Sequence, residues 1–173
     1  MNKLLSLILI LSISSCSSIA FWQSDEVDPD EPRELEDFNE RFQFVENWEL
    51  KFKGENKLNN FEPAFSGSSL FFADQKGNVS NIDIQSGEII WESELDSTIS
   101  AGIVAGFGRL FLSDDKGNLI CLDQNDGSIQ WKSFAGGEVL ANVGVDAGLV
   151  VVKTASGFLN AFNIETGSEE WSY

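Results

Sequence analysis

An all-β fold made of repeated four-stranded units is predicted by three features of the chain. Tryptophan recurs every 40 residues, at Trp91, Trp131 and Trp171. Four residues before each stands a glycine, Gly87, Gly127 or Gly167, itself preceded by Ser86, Asp126 or Thr166. Short apolar runs recur in register with both signals, and helical periodicity is absent across them. An unbroken period of this length matches one propeller blade, four strands of about six residues with their turns.

The first 15 residues read as a secretory signal. Lys3 supplies the positive charge, and residues 4–11 form an apolar core too short to span a bilayer. The run Ile13-Ser14-Ser15-Cys16 resembles the bacterial lipobox, in which small residues precede a cysteine that becomes the lipidated first residue. The resemblance makes Cys16 the lipid-attachment site, carrying palmitate, and Ser17 in place of Asp points to the outer membrane. With Cys16 lipidated, Cys121 stands alone and no intrachain disulfide forms. Cys121 lies in an apolar run and reads as a small buried hydrophobe rather than a reactive thiol.

Residues 16–46 read as an acidic tether. Between residues 24 and 37 stand eight carboxylates against Arg33, interrupted by Pro29 and Pro32. Repulsion, proline and low hydrophobicity prevent this stretch from burying a core, which favours a solvated spacer over an acidic docking peptide. From residue 47 the pattern changes: Trp48, Leu50 and Phe52 alternate with Glu49 and Lys51, a strand signature. Asn47-Trp48-Glu49-Leu50 resembles the segment around Trp91 but has no glycine turn before it. It is expected to be an orphan outer strand that closes a ring.

Each repeat then supplies four runs. The innermost strands are expected at residues 62–65, 102–105 and 142–145. Next come Leu70-Phe71-Phe72, Leu110-Phe111-Leu112 and Val150-Val151-Val152, and after polar turns residues 79–84, 119–122 and 159–164. The glycine turn follows, supplying positive φ without a Cβ clash, and the outer strand ends on the tryptophan. Three repeats and an orphan strand are fewer than the four to eight blades of a ring, so residues 47–173 are expected to be part of a propeller in an amino-terminal fragment.

The third copy, Ala161-x-Asn163-x-x-Thr166-Gly167-x-x-x-Trp171, resembles the tryptophan-docking motif of the pyrroloquinoline-quinone-type propeller repeat family. The resemblance implies that each indole packs on a neighbouring blade. Asn81 and Cys121 replace the Ala, and Ser86 and Asp126 replace the Thr, all small or short polar residues. Another propeller family, WD40, would place an Asp after the Trp and carry a Gly-His pair; here Glu92, Lys132 and Ser172 follow the tryptophans and histidine is absent. Packing accounts for three equivalent indoles better than a stacking platform for one planar ligand does.

Composition narrows the chemistry. A net charge of −17 with no basic stripe disfavours nucleic acid and direct adhesion to an anionic leaflet. Zero histidine removes the usual general base, zinc site and catalytic triads. The glycine-rich residues 102–108 precede no helix, so they do not read as a phosphate loop. Residues 123–127 begin like a calcium loop but lack its spacing. Asp114-Asp115 could serve as an acid–base pair, yet the matching Asp74-Gln75 lacks the second carboxylate, which favours a solvated hairpin. No catalytic, cofactor-binding or metal-binding residue is assigned.

Lipobox, acidic tether and repeat together resemble the BamB family of lipoproteins of the outer-membrane β-barrel assembly (BAM) machinery. The resemblance implies a propeller of about eight blades that is not an enzyme and binds no cofactor. It also implies a periplasmic scaffold, lipid-anchored in the outer membrane, that binds the barrel-forming subunit BamA and assists insertion of nascent outer-membrane proteins. The alternatives are a fragment of a quinoprotein dehydrogenase, which would add a vicinal cysteine pair absent here, and a propeller lipoprotein with another periplasmic partner.

Overall fold

Twelve strands in three sheets make up the repeats of this computed structural model, which describes residues 41–52 and 61–173 together with Pro32. The chain divides into two units, Met1–Gln43 and Phe44–Tyr173. In the first, the described residues Pro32 and 41–43 are exposed and irregular. Cys16, the expected signal and most of the expected acidic tether lie outside the described residues.

The second unit contains the blades. Blade 1 comprises β1 (Ala64–Ser66), β2 (Ser69–Ala73), β3 (Asn78–Asp83) and β4 (Ile89–Glu94), paired in that order. Blade 2 comprises β5 (Val104–Gly106), β6 (Arg109–Ser113), β7 (Asn118–Asp123) and β8 (Ile129–Phe134). Blade 3 comprises β9 (Gly144–Asp146), β10 (Leu149–Lys153), β11 (Leu159–Asn163) and β12 (Glu169–Ser172). Every neighbouring pair is antiparallel. No helix occurs among the described residues.

The register repeats with the sequence. Asn81 lies opposite Trp91, Cys121 opposite Trp131 and Ala161 opposite Trp171, and a bulge follows each of these small residues. The small slot of the motif is therefore the cross-strand seat of the indole. Innermost strands begin two residues later than expected and are three residues long. A tight hairpin sets where each ends: Phe107-Gly108 and Ala147-Gly148 both have positive φ, the twist that a two-residue connection requires, and the ladder extends three residues back from it.

Central strands are buried on both faces. In β6, Leu110 and Leu112 join a core with Phe71, Val79 and Leu122, whereas Phe111 turns to a second core with Val150, Val152 and Phe162. Alternate residues of one strand thus serve two inter-blade cores, which is why these strands read as continuous apolar runs instead of alternating ones. Each fully buried Leu, Val or Phe contributes about 1.5–3 kcal/mol.

The orphan strand is the point of difference. Residues 41–52 carry no strand pairing. A strand is defined by a ladder, and no partner strand adjoins this segment among the described residues. Phe52 still stacks on Phe72 with ring centroids 4.3 Å apart.

Candidate functional site

The contacts that join blades are built from the repeat's turn. In blade 3, Asn163 Oδ1 accepts hydrogen bonds from the backbone N–H groups of Glu165 (3.0 Å) and Thr166 (3.2 Å), and the Gly167 N–H donates to the Asn163 carbonyl at 2.9 Å. Blade 1 repeats the arrangement around Asp83, whose carboxylate accepts from Gln85 and Ser86. The Ser86 donors hold the Asp83 carboxyl below its ordinary value, and those of Ser128 do the same for Asp126. These short polar residues satisfy the turn's own N–H groups, the role for which Asp, Asn and Ser are favoured.

The turn presents a glycine and a carbonyl to the preceding segment. Trp91 donates its indole N–H to the Gln124 carbonyl at 3.2 Å, and Trp131 donates to the Ile164 carbonyl at 3.1 Å. A Cβ on Gly127 would come within 2.6 Å of the Trp91 ring, and one on Gly167 within 2.6 Å of Trp131. Both glycines have positive φ, so they are demanded twice, by backbone conformation and by the ring lying on the Cα. The glycine and tryptophan of one repeat therefore belong to different docks. Gly127 of blade 2 receives the tryptophan of blade 1, while Trp131, also of blade 2, reaches Gly167 of blade 3.

Trp48 fills the same place on blade 1. Its N–H donates to the Ile84 carbonyl at 2.7 Å, and its ring lies 2.7 Å from where a Gly87 Cβ would sit. Sequence reading saw Trp48 as a strand marker and missed this role; its likeness to the segment around Trp91 was the available signal. Trp171 has no blade after it among the described residues and is 41% exposed.

Further polar clamps distinguish the interface of blades 2 and 3. Arg109 of β6 pairs with Glu165 of the blade 3 turn, Ser133 Oγ donates to the Gly167 carbonyl, and Asn160 Nδ2 donates to the Ala135 carbonyl at 2.6 Å.

The remaining candidates fall into structural roles. Asp114 is not the solvated hairpin residue expected from sequence: it is fully buried. Its Oδ1 accepts from the backbone of Lys116 and Asn118, and Lys132 Nζ lies 2.9 Å from Oδ2. Burial pushes its carboxyl up, and the bonds from Lys132 and Asn118 outweigh that, leaving it below its ordinary value. Asp115 is exposed, so the two carboxylates do not share an environment and form no acid–base dyad. Cys121 is free and buried, and burial raises its thiol to about 11, which suppresses the thiolate. Residues 123–127 form the docking turn of blade 2. No group of three or more His, Cys, Asp or Glu side chains that could hold a metal ion occurs among the described residues.

Comparison with known proteins agrees with this geometry. A family model described as outer membrane protein assembly factor BamB matches residues 47–173. The outer membrane protein assembly factor BamB of Kangiella koreensis is 37% identical over 79 residues, 44% of this chain and 20% of that protein. Its counterpart in Pseudomonas aeruginosa is 33% identical over 104 residues, 59% of this chain and 26% of that protein. The chain thus spans about a quarter of the length of these relatives, or less. The crystal structure of BamB from Moraxella catarrhalis superposes with a TM-score of 0.61 at 24% identity, covering 65% of this chain and 35% of that one. A quinohemoprotein alcohol dehydrogenase from Pseudomonas putida reaches 0.58 at 19% identity over 64% of this chain and 20% of its own, a likeness of fold alone. On the match across residues 47–173, the chain belongs to the BamB family of outer membrane protein assembly factors.

Proposed function

We propose that this chain is a non-catalytic scaffold of the BAM complex, held at the periplasmic face of the outer membrane by lipid on Cys16. Residues 1–15 are the signal peptide, 16–46 the lipidated acidic tether and 47–173 part of the propeller. The carrying observation is the family match over residues 47–173, and the lipobox-like Ile13-Ser14-Ser15-Cys16 supports the anchor. In this reading the blades form a rigid body whose turns bind BamA, and the complex inserts nascent outer-membrane proteins. Rigidity suits such a role, because pre-organised turns lose little conformational entropy on binding.

Three experiments test the parts separately. Affinity capture from detergent-solubilised envelopes is expected to retain BamA, and its consistent loss counts against the scaffold reading. Cys16→Ser is expected to abolish palmitate labelling and release the protein from membranes; labelling that survives removes the anchor. Quinone-dependent dye reduction with alcohols is expected to show no turnover, and robust turnover replaces the scaffold with an enzyme.

A further inference from the structure

The two rims of the blades differ in charge. One rim carries the inner-hairpin tips, such as Phe107-Gly108 and Ala147-Gly148, together with the docking turns. Backbone bonds tie each tip to its turn: the Gln124 N–H donates to the Gly108 carbonyl, and the Ile164 N–H to the Gly148 carbonyl. The tips and turns of this rim contain Asp83, Glu88, Asp126, Asp146 and Glu165, and their cation, Arg109, is paired with Glu165. Lys76, Lys116, Lys132 and Lys153 all belong to the opposite rim, beside the turns at Asp74, Asp114 and Thr154, where they offset the exposed Glu94, Asp96, Asp115 and Glu138.

Phe107 stands out on the acidic rim. It is 62% exposed and adopts φ +54°, a left-handed conformation that a bulky side chain rarely takes. The same repeat position holds Gly67 in blade 1 and Ala147 in blade 3, so the hairpin does not need an aromatic ring. The hairpin itself requires the positive φ, so what calls for a role is the bulky ring placed where Gly or Ala suffices. The neighbouring tip is close, since a Cβ on Gly106 would come within 3.3 Å of Val145. Phe107 is therefore flanked by the tip bearing Asp146 and by its own docking turn bearing Asp126.

We propose that Phe107 is the apolar anchor of a docking surface for a basic protein segment, one in which lysine or arginine flanks an apolar residue. The ring supplies desolvated contact area, and the surrounding carboxylates supply attraction and exclude acidic partners. Charge complementarity selects this occupant: a second copy of the chain, with a net charge of −17, would be repelled rather than attracted. The surface is argued from these turns alone, so its failure leaves the lipid anchor and the BamA reading untouched.

The test uses the full chain and two synthetic peptides, Lys-Lys-Leu-Leu-Lys-Lys and Glu-Glu-Leu-Leu-Glu-Glu, titrated by fluorescence anisotropy at low and physiological salt. Binding of the lysine peptide is expected to weaken about tenfold in Phe107→Gly and several-fold in Asp126→Asn or Asp146→Asn, with the glutamate peptide inert. Phe107→Gly suits the left-handed backbone, so its melting temperature is expected to hold or rise while binding falls. Lysine-peptide binding that Phe107→Gly leaves unchanged is charge attraction alone and overturns the proposal. A marked drop in melting temperature makes Phe107 a structural residue and overturns it equally, as does binding of the glutamate peptide.

Discussion

Trp131 and Trp171 occupy the same place in successive repeats, and among the described residues their surroundings differ. Each sits across the sheet from a small buried residue, Cys121 or Ala161. Trp131 is half-buried, lies against Gly167 and donates to the Ile164 carbonyl, whereas Trp171 is 41% exposed. The motif therefore has two halves. Its seat within the blade is formed by local pairing, and its dock is formed only when a following blade supplies the glycine turn.

Deleting the indoles breaks the comparison most directly. Trp131→Ala removes a filled dock and is expected to cost about 4 kcal/mol, the range for buried Trp in a core, while Trp171→Ala, measured on residues 1–173 alone, is expected to cost about 1 kcal/mol. Urea unfolding midpoints of the two variants measure the gap, and equal losses would show that the seat, not the dock, holds the energy.

Glycine substitutions probe the other side of the dock. Gly167→Ala sets a Cβ 2.6 Å from Trp131 at φ +70°, and the combined overlap and strain are expected to cost about 3 kcal/mol. Gly148→Ala has φ +80° with nothing within 4 Å, so strain alone is expected, about 1 kcal/mol. Thermal melts of both should separate conformational strain from crowding by the ring.

Blades 1 and 2 differ at the position after the tryptophan, where Glu92 of blade 1 corresponds to Lys132 of blade 2. Lys132→Met leaves the buried Asp114 carboxylate without its cation and is expected to cost about 2 kcal/mol after discounting for the partly exposed lysine. Asp114 is held below the ordinary carboxylate value of 3.8 in the folded state. It therefore stabilises the fold above pH 3.8, and that contribution is lost as pH falls through the depressed folded value. Stability measured against pH should show a shallower acid-side decline in Asp114→Asn than in the parent.

The smallest effect concerns Cys121. With its thiol raised to about 11, alkylation by iodoacetamide at pH 8 is expected to be negligible in the native protein and fast in urea. Mass spectrometry of the Cys121 peptide reads this directly, and rapid native labelling would mean that the inter-blade core opens readily.

Much of this was legible because a blade is a local object. The small residue of β7, the docking turn and the tryptophan of β8 lie within eleven residues, from Cys121 to Trp131, joined by a hairpin whose turn chemistry is written in Asp126-Gly127. The late start of the innermost strands was less legible: Phe107 and Ala147 at positive φ carry no composition signal for a tight turn. Asp114 looked like any polar hairpin residue, and only the return of Lys132 on β8 and the packing around it show that it is buried.

By itself the sequence determined the blade: its strand number, its antiparallel order and the 40-residue period, because hairpins form between neighbours along the chain. Tertiary structure alone decided which groups meet between blades. Trp48 reaching Ile84, and Trp91 reaching Gln124 across 33 residues, are choices no local turn encodes. They follow from two apolar faces that must be covered at once, and from an indole N–H that needs a carbonyl when its ring is withdrawn from water.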